Sequence, residues 1–219
     1  MIGLRIIAIA ALGASLATPV AAQTTSPISL RIGVQSENTK QNSSLDDVVT
    51  GRVSAALQAI EGVISPAEGG AGIGGRVIQG TLEGGRDFFL REGRLFIGPQ
   101  WFHAEAAYGE RTLSGTDSMV TFSRAGVRSI VQIGGSGVAV IFSGSKYFGP
   151  KFVKAKVASG SIADPVPDGW EAETSIYYTA PRVPVFLRVG YKTEYFSYAN
   201  RDDNTHSVIF GTGLWLGAR

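Results

Sequence analysis

The chain has 219 residues, of which 44% are hydrophobic and 17% charged, with 29 glycines, no cysteine and a formal net charge of +2. A balance so near neutral gives no reason to expect nucleic acid, which a concentrated basic charge would attract. The lack of cysteine excludes a disulfide framework and thiolate metal sites, so packing and backbone pairing must hold the chain.

The first residues read as an export signal. Arg5 supplies a positive start, Ile6 to Ala17 an apolar run, and Val20-Ala21-Ala22 small residues for cleavage before Gln23. The run falls short of the ~20 residues a spanning helix needs. Residues 1–22 are therefore expected to be a cleaved leader and 23–219 one domain. Losing Arg5 leaves 19 of the 20 basic residues against 18 acidic ones.

The mature chain then alternates with a period of two, the mark of strands with unlike faces. Ile28 to Ser36 sets Ile28, Leu30, Ile32 and Val34 against Ser29, Arg31, Gly33 and Gln35. Val48 to Ile60 fits two templates. As a strand, Val49, Val53, Ala55, Leu57 and Ala59 oppose Thr50, Arg52, Ser54 and Gln58. As a helix, Val49, Val53, Leu57, Ile60 and Ile64 form a stripe, with Ser44 as N-cap. Gly72 to Leu82 and Phe88 to Ile97 look extended. Phe102 to Leu113 opposes Phe102, Ala104, Ala106 and Tyr108 to His103, Glu105, Gly109 and Arg111. Met119 to Ile133 sets Ala125, Val127, Val131 and Ile133 against Arg124, Arg128 and Gln132. Val138 to Phe148 and Gly169 to Thr179 follow with less clean faces. Pro184 to Tyr198 is the clearest strand, with Val185, Leu187, Val189, Tyr191 and Tyr195 opposite Arg188, Gly190, Lys192 and Glu194. His206 to Gly217 is the last.

The connections alternate in length. Gly98 to Gln100, Gly134 to Gly137 and Pro181 to Pro184 are tight turns, whereas Ser114 to Ser118, Gly149 to Asp168 and Ala199 to Thr205 are longer or more polar links. Up-and-down membrane barrels carry short periplasmic turns and longer outer loops. With Val48 to Ile60 as a strand, ten segments alternate in direction from a periplasmic start. With it as a helix, eight strands remain. Ten is favoured.

Apolar faces could look inward, as in a soluble sheet, or toward lipid, with the charges lining a lumen. Pairing across the Pro181 to Pro184 turn sets residues summing to about 365 opposite one another. Glu173 then faces Lys192, Glu171 faces Glu194 and Tyr177 faces Arg188. Across Ser114 to Ser118, Glu105 lies near Arg124 and Arg128, with His103 beside Arg128. In a narrow lumen such charges survive by pairing. Aromatic residues gather toward strand ends: Tyr147, Phe148, Trp170 and Tyr195 to Tyr198 on one side, and Trp101, Phe102, Tyr177, Tyr178 and Trp215 on the other. Two such girdles suit membrane interfaces.

On these features the chain resembles, in architecture, the small outer-membrane β-barrel proteins of Gram-negative-type bacteria, such as the membrane domain of outer-membrane protein A. The resemblance covers most of Ile28 to Gly217. In the terminal strand, Gly211, Leu214 and Leu216 have the spacing of the signal read by the barrel-assembly machinery. Leu216 is not aromatic, and Gly217-Ala218-Arg219 follow it, both departures from that pattern. The resemblance implies an outer-membrane location, lipid surroundings and the assembly machinery as a partner in biogenesis. A secreted soluble barrel of lipocalin type stays open as an alternative.

Chemistry is sparse. The only histidines are His103 and His206. Glu105 shares a face with His103 but brings no serine. His206 and Ser207 are adjacent, so a strand points them apart. The glycine runs Glu68 to Gly75 and Ile133 to Gly137 lack the Gly-Lys-Ser/Thr ending of a phosphate loop. Lys151, Lys154 and Lys156, in a basic alternating stretch, could meet lipopolysaccharide phosphates. The expected fold is thus all-β, an antiparallel up-and-down transmembrane barrel of eight to ten strands, monomeric and without cofactor, metal or catalytic residues. Its expected interior is a polar network of Arg31, Arg52, His103, Glu105, Arg124, Arg128, Glu171, Glu173, Arg188, Lys192 and Glu194. A structural or surface-interaction role leads; a narrow pore for small solutes and a lipid-modifying barrel enzyme are the alternatives.

Overall fold

A strand leaves a row of backbone donors and acceptors on each edge, and a sheet satisfies all of them only by closing on itself. The computed structural model shows this closure. It describes residues 28–45, 48–66, 70–82, 86–112, 119–135, 137–154, 168–198 and 201–216, so the expected leader 1–22 lies outside the described residues. The strands are β1 (Ile28–Leu45), β2 (Val48–Pro66), β3 (Gly70–Leu82), β4 (Arg86–Gly98), β5 (Phe102–Thr112), β6 (Met119–Ile133), β7 (Val138–Lys154), β8 (Asp168–Thr179), β9 (Val185–Tyr198) and β10 (Arg201–Leu216). Each pairs antiparallel with its chain neighbours, and β1 pairs with β10 to close a ten-stranded up-and-down barrel.

The register sets the shape. Partners lead from Leu30 through Ile64, Ile73, Leu95, Ala106, Ala125, Lys146, Trp170, Tyr195 and Asn204 back to β1 at Asn42, a shift of 42 − 30 = 12 residues. That shift, at ~3.3 Å per residue against ten spacings of ~4.8 Å, tilts the strands by about 40°. The same geometry gives a backbone radius of roughly 10 Å, a bore that side chains can fill.

Val48 to Ile60 is strand, and β2 runs on to Pro66. The helical alternative fails because Ser44, its N-cap, is itself in β1, and β2 must supply the ladder between β1 and β3. Several strands outrun their sequence patterns. β1 continues past Ser36 to Leu45, paired with β10 from Arg201 onward, so the link expected over Ala199 to Thr205 shrinks to residues 199–200. Residues 37–44 are polar throughout, so no hydrophobic alternation announces them. β7 likewise extends to Lys154, and the longest connections are 113–118 and 155–167, both at the end opposite Ile28 and Leu216. At the other end Gly134 and Gly137 turn β6 into β7 with φ of 54° and 74°.

Three apolar clusters sit inside. Ile141, Tyr177 and Phe186, with Ile130 and Trp215 against them, close the end near the termini. Val120, Phe122, Tyr147 and Phe196 close the opposite end, beside Ala59, Ile78, Phe88 and Leu90. Inward glycines make room for these rings: a Cβ on Gly33 would come within 2.6 Å of the Phe186 ring. Between the two ends the interior is charged.

Candidate functional site in the barrel interior

At mid-height four side chains from four strands form a closed alternating ring. Arg76 of β3 reaches Glu92 of β4 at 3.0 Å and Glu171 of β8 at 2.9 Å. Arg124 of β6 reaches the same two carboxylates, each at 2.6 Å. β3 and β8 lie on opposite sides of the ten-membered strand ring, so the Arg76–Glu171 contact spans the bore. All four side chains are at most 8% exposed. The Tyr147 hydroxyl lies 3.1 Å from Glu171 and 3.0 Å from Glu194, linking this ring to the Glu194–Arg111 pair above it. The Arg111 guanidinium also stacks 4.5 Å from the centre of the Phe196 ring. Lys192 completes the layer by pairing with Glu37 at 2.6 Å, and Gln35 donates to Glu37 at 3.1 Å.

A second layer lies nearer the termini. Glu61 gathers Arg94, Arg188 at 3.0 Å and Arg31 at 3.7 Å. Arg188 further donates to Glu173 and Gln35, and Ser175 bridges to Glu173 at 2.5 Å. Arg31 and Arg188 both lie over Tyr177, at 5.0 and 5.3 Å from its ring centre. Arg128 pairs with Glu105 at 2.7 Å, and the His103 ring rests 5.1 Å from that of Phe96. With Asp203, buried on β10, these layers place eight cations and eight carboxylates inward among the described residues. Burial of so many charges is tolerable only through charge-assisted pairing, and all eight cations hold a carboxylate. Apolar layers lie above and below them.

The expected residues divide as follows. Register sets Glu173 opposite Lys192, Glu171 opposite Glu194, Tyr177 opposite Arg188 and His103 opposite Arg128. The ion pairs do not follow register. Lys192 crosses to Glu37 and Glu173 takes Arg188, because long side chains in a narrow bore reach past their strand neighbours. Glu105 holds Arg128, while Arg124 turns to Glu92 and Glu171. Arg52 pairs in register with Asn42, and its side chain lies outside the described residues. Glu37, Glu61, Arg76, Glu92, Arg94, Arg111 and Tyr147 complete the network and were not in the expected set. β4 shows why. Its inward face is Phe88, Leu90, Glu92, Arg94 and Phe96, and its outward face is Phe89, Arg91, Gly93, Leu95 and Ile97. Both faces are mixed, so hydrophobic alternation has no contrast to detect.

The outer wall is the reverse of the interior. Leu95 is 63% exposed and Val189 51%, and Ile32, Ile64, Ile73, Val127, Val131, Ile176, Leu187 and Phe210 share their face. The aromatic girdles need correction. Adjacent ring residues on a strand alternate faces, so Tyr147, Tyr177 and Phe196 are buried inside and Trp215 packs inward, while Phe148, Trp101, Trp170 and Tyr178 remain outside. His206 points outward, with its Nδ1 2.8 Å from the Tyr191 hydroxyl, and Ser207 is buried against Thr39. Lys151 and Lys154 fall in β7, but their side chains, like all of Lys156, lie outside the described residues. Leu214 and Leu216 hold outward positions near the end of β10, and Gly211 an inward one.

The chain is similar in fold to several solved barrels. One is Ail, the attachment invasion locus protein of Yersinia pestis, in complex with the heparin analogue sucrose octasulfate: 7% identity over 86% of this chain and 99% of that one, TM-score 0.34. Neisserial surface protein A shares 12% identity over 84% and 96%, TM-score 0.39. The translocator domain of the autotransporter NalP from Neisseria meningitidis shares 11% over 97% and 95%, TM-score 0.38. No family model and no curated protein matches the sequence.

Proposed function

We propose that the chain is a bacterial outer-membrane β-barrel whose interior is a structural plug, leaving its role to the outer wall and the surface loops. One observation carries this reading: the barrel is polar inside and apolar outside. A lipocalin-type barrel dissolved in water would need the opposite, because a largely apolar wall of this extent is an aggregation liability in water. From Val185 to Tyr195 the outward positions of β9 span ten residue steps, ~33 Å of strand, or roughly 25 Å of height at the tilt derived above, which matches a bilayer's apolar band.

A pore for small solutes is the second reading, and the cross-bore ion pairs weigh against it. Ions would have to displace Arg76, Arg124, Glu92 and Glu171 from one another and pass the ring clusters at both ends. Lipid around the wall, the barrel-assembly machinery during biogenesis and lipopolysaccharide phosphates near Lys151, Lys154 and Lys156 are the partners this reading entails. The protein should fractionate with the outer membrane, migrate on gels with heat-modifiable mobility and give negligible conductance in a planar bilayer. Recovery in the soluble fraction without detergent overturns the membrane reading. Stable single-channel steps that change when Arg124 or Arg128 is replaced would favour the pore.

A further inference from the structure

Inside an apolar band every strand edge must be paired, because hydrocarbon offers no substitute for the ladder. Beyond the band an edge can stay open, and an open edge invites another chain. Three ladders stop short of their strands at the end with the long connections. β4 stops pairing with β5 at Leu90, and there the Thr112 hydroxyl takes the Phe89 N–H at 2.9 Å. β7 stops pairing with β8 at Lys146, and its remaining residues include Gly149, with φ of 55°, Pro150, Lys151 and Lys154. Proline and lysine are devices that blunt an edge. The outer part of β2 has neither. β2 pairs with β1 from Val48 to Pro66 but with β3 only from Gln58 to Ile64. Among the described residues, 48–57 thus have no ladder partner on that edge, and they hold no proline and one charge, Arg52. Thr50 is bulged out of the β1 ladder, which leaves 51–57 as a regular run.

Register sets the height of this edge. Tyr195, at the top of the apolar band on β9, leads through Asn204 and Asn42 to Arg52. Each strand step in that direction climbs ~3 Å at the 40° tilt, so Arg52 stands about 9 Å beyond the band. Residues 53–57 descend from there to the rim, where outward-facing Gln58 and Gln79 begin the ladder to β3. On the membrane reading above, we propose that residues 51–57 of β2 bind an extended segment of a partner protein outside the cell, which adds as a further strand. An open edge presents N–H and C=O groups at strand spacing, and an extended polypeptide matches both. A second copy in the same membrane does not fit. It would stand upright beside the first, and its β2 edge would cross this one at about 80°, twice the tilt.

A soluble peptide of alternating threonine and valine between terminal lysines is the probe, added to the full barrel folded in detergent. Fluorescence anisotropy of the labelled peptide measures binding, and hydrogen exchange locates it. Binding should slow exchange at about half the amides of 51–57, since successive N–H groups point to opposite edges. The fully N-methylated peptide, which has no backbone donor, should bind about tenfold more weakly or worse. The same alternation means that one of Val53→Pro and Ser54→Pro breaks the β1 ladder while the other touches the open edge alone. The variant that keeps heat-modifiable mobility should lose binding; if neither folds, the two peptides decide. Undetectable binding, equal binding of the methylated peptide, or protection confined to residues outside 51–57 overturns the proposal. A barrel that folds in detergent and fails these tests refutes this edge alone, whereas one that is soluble without detergent refutes the membrane reading beneath it.

Discussion

Replacing Arg124 by methionine removes one corner of the Arg76–Glu92–Arg124–Glu171 ring while roughly keeping the side chain's length. Two contacts of 2.6 Å and a 3.2 Å hydrogen bond to Ser145 disappear. Glu92 and Glu171 are then left to share Arg76, and one buried negative charge is uncompensated. Breaking a buried pair in this way costs ~3–5 kcal/mol, most of it the penalty of the stranded charge. Pairing the change with Glu92→Met restores neutrality, because Arg76 and Glu171 keep their 2.9 Å contact and Tyr147 still touches Glu171. The double variant should therefore lose less than about 2 kcal/mol, well below the sum of the single losses, which is a strong coupling. Urea unfolding in phospholipid vesicles, followed by tryptophan fluorescence, measures it. With a slope of ~2 kcal/mol per molar, Arg124→Met should lower the midpoint by roughly 1.5–2.5 M and the double variant by under ~1 M. Additive losses, or a single loss below ~1 kcal/mol, would mean that the ring is hydrated and braces nothing.

Three further outcomes follow from the same geometry. Tyr147→Phe removes the hydroxyl between Glu171 and Glu194 and should cost ~1–3 kcal/mol in the same unfolding assay. Gly72→Ala should destabilise by about 1–3 kcal/mol or more, since its Cβ would lie 2.7 Å from the Ile64 carbonyl and closer still to the Phe96 ring. Gly93→Ala, which meets nothing within 4 Å, is the matched control and should show no comparable loss. Val189→Arg, on the exposed wall, should impair insertion into vesicles and cost ~2–4 kcal/mol if the residue sits near the bilayer midplane; an unchanged or better-folding variant would favour a water-facing wall.

Period-two alternation marked most of the strands, and direction parity favoured ten of them over eight. β9 shows how far this reached. Val185, Leu187, Val189 and Tyr191 fall on the outer wall and Arg188, Lys192 and Glu194 inside, and a tight turn at residues 180–184 sets their partners on β8. Alternation is local, a property of successive Cβ directions, so a single strand displays it. Where both faces are mixed, as on β4, or both polar, as in residues 37–44 of β1, it carries no contrast. Adjacent aromatic pairs misled for a related reason: Tyr147 next to Phe148 reads as a girdle, but one of the two must point inward.

The sequence by itself thus determined an all-β chain of alternating strands with tight turns at one end. Only the tertiary structure decided which charge meets which. Arg76 and Glu171 lie 95 positions apart and on opposite sides of the bore. Their contact depends on the barrel's twelve-residue shift and narrow radius, which belong to the closed ring and to no single strand. The same closure decides that the interior is full and that Gly62, Gly75 and Gly93 fall in line on the outside.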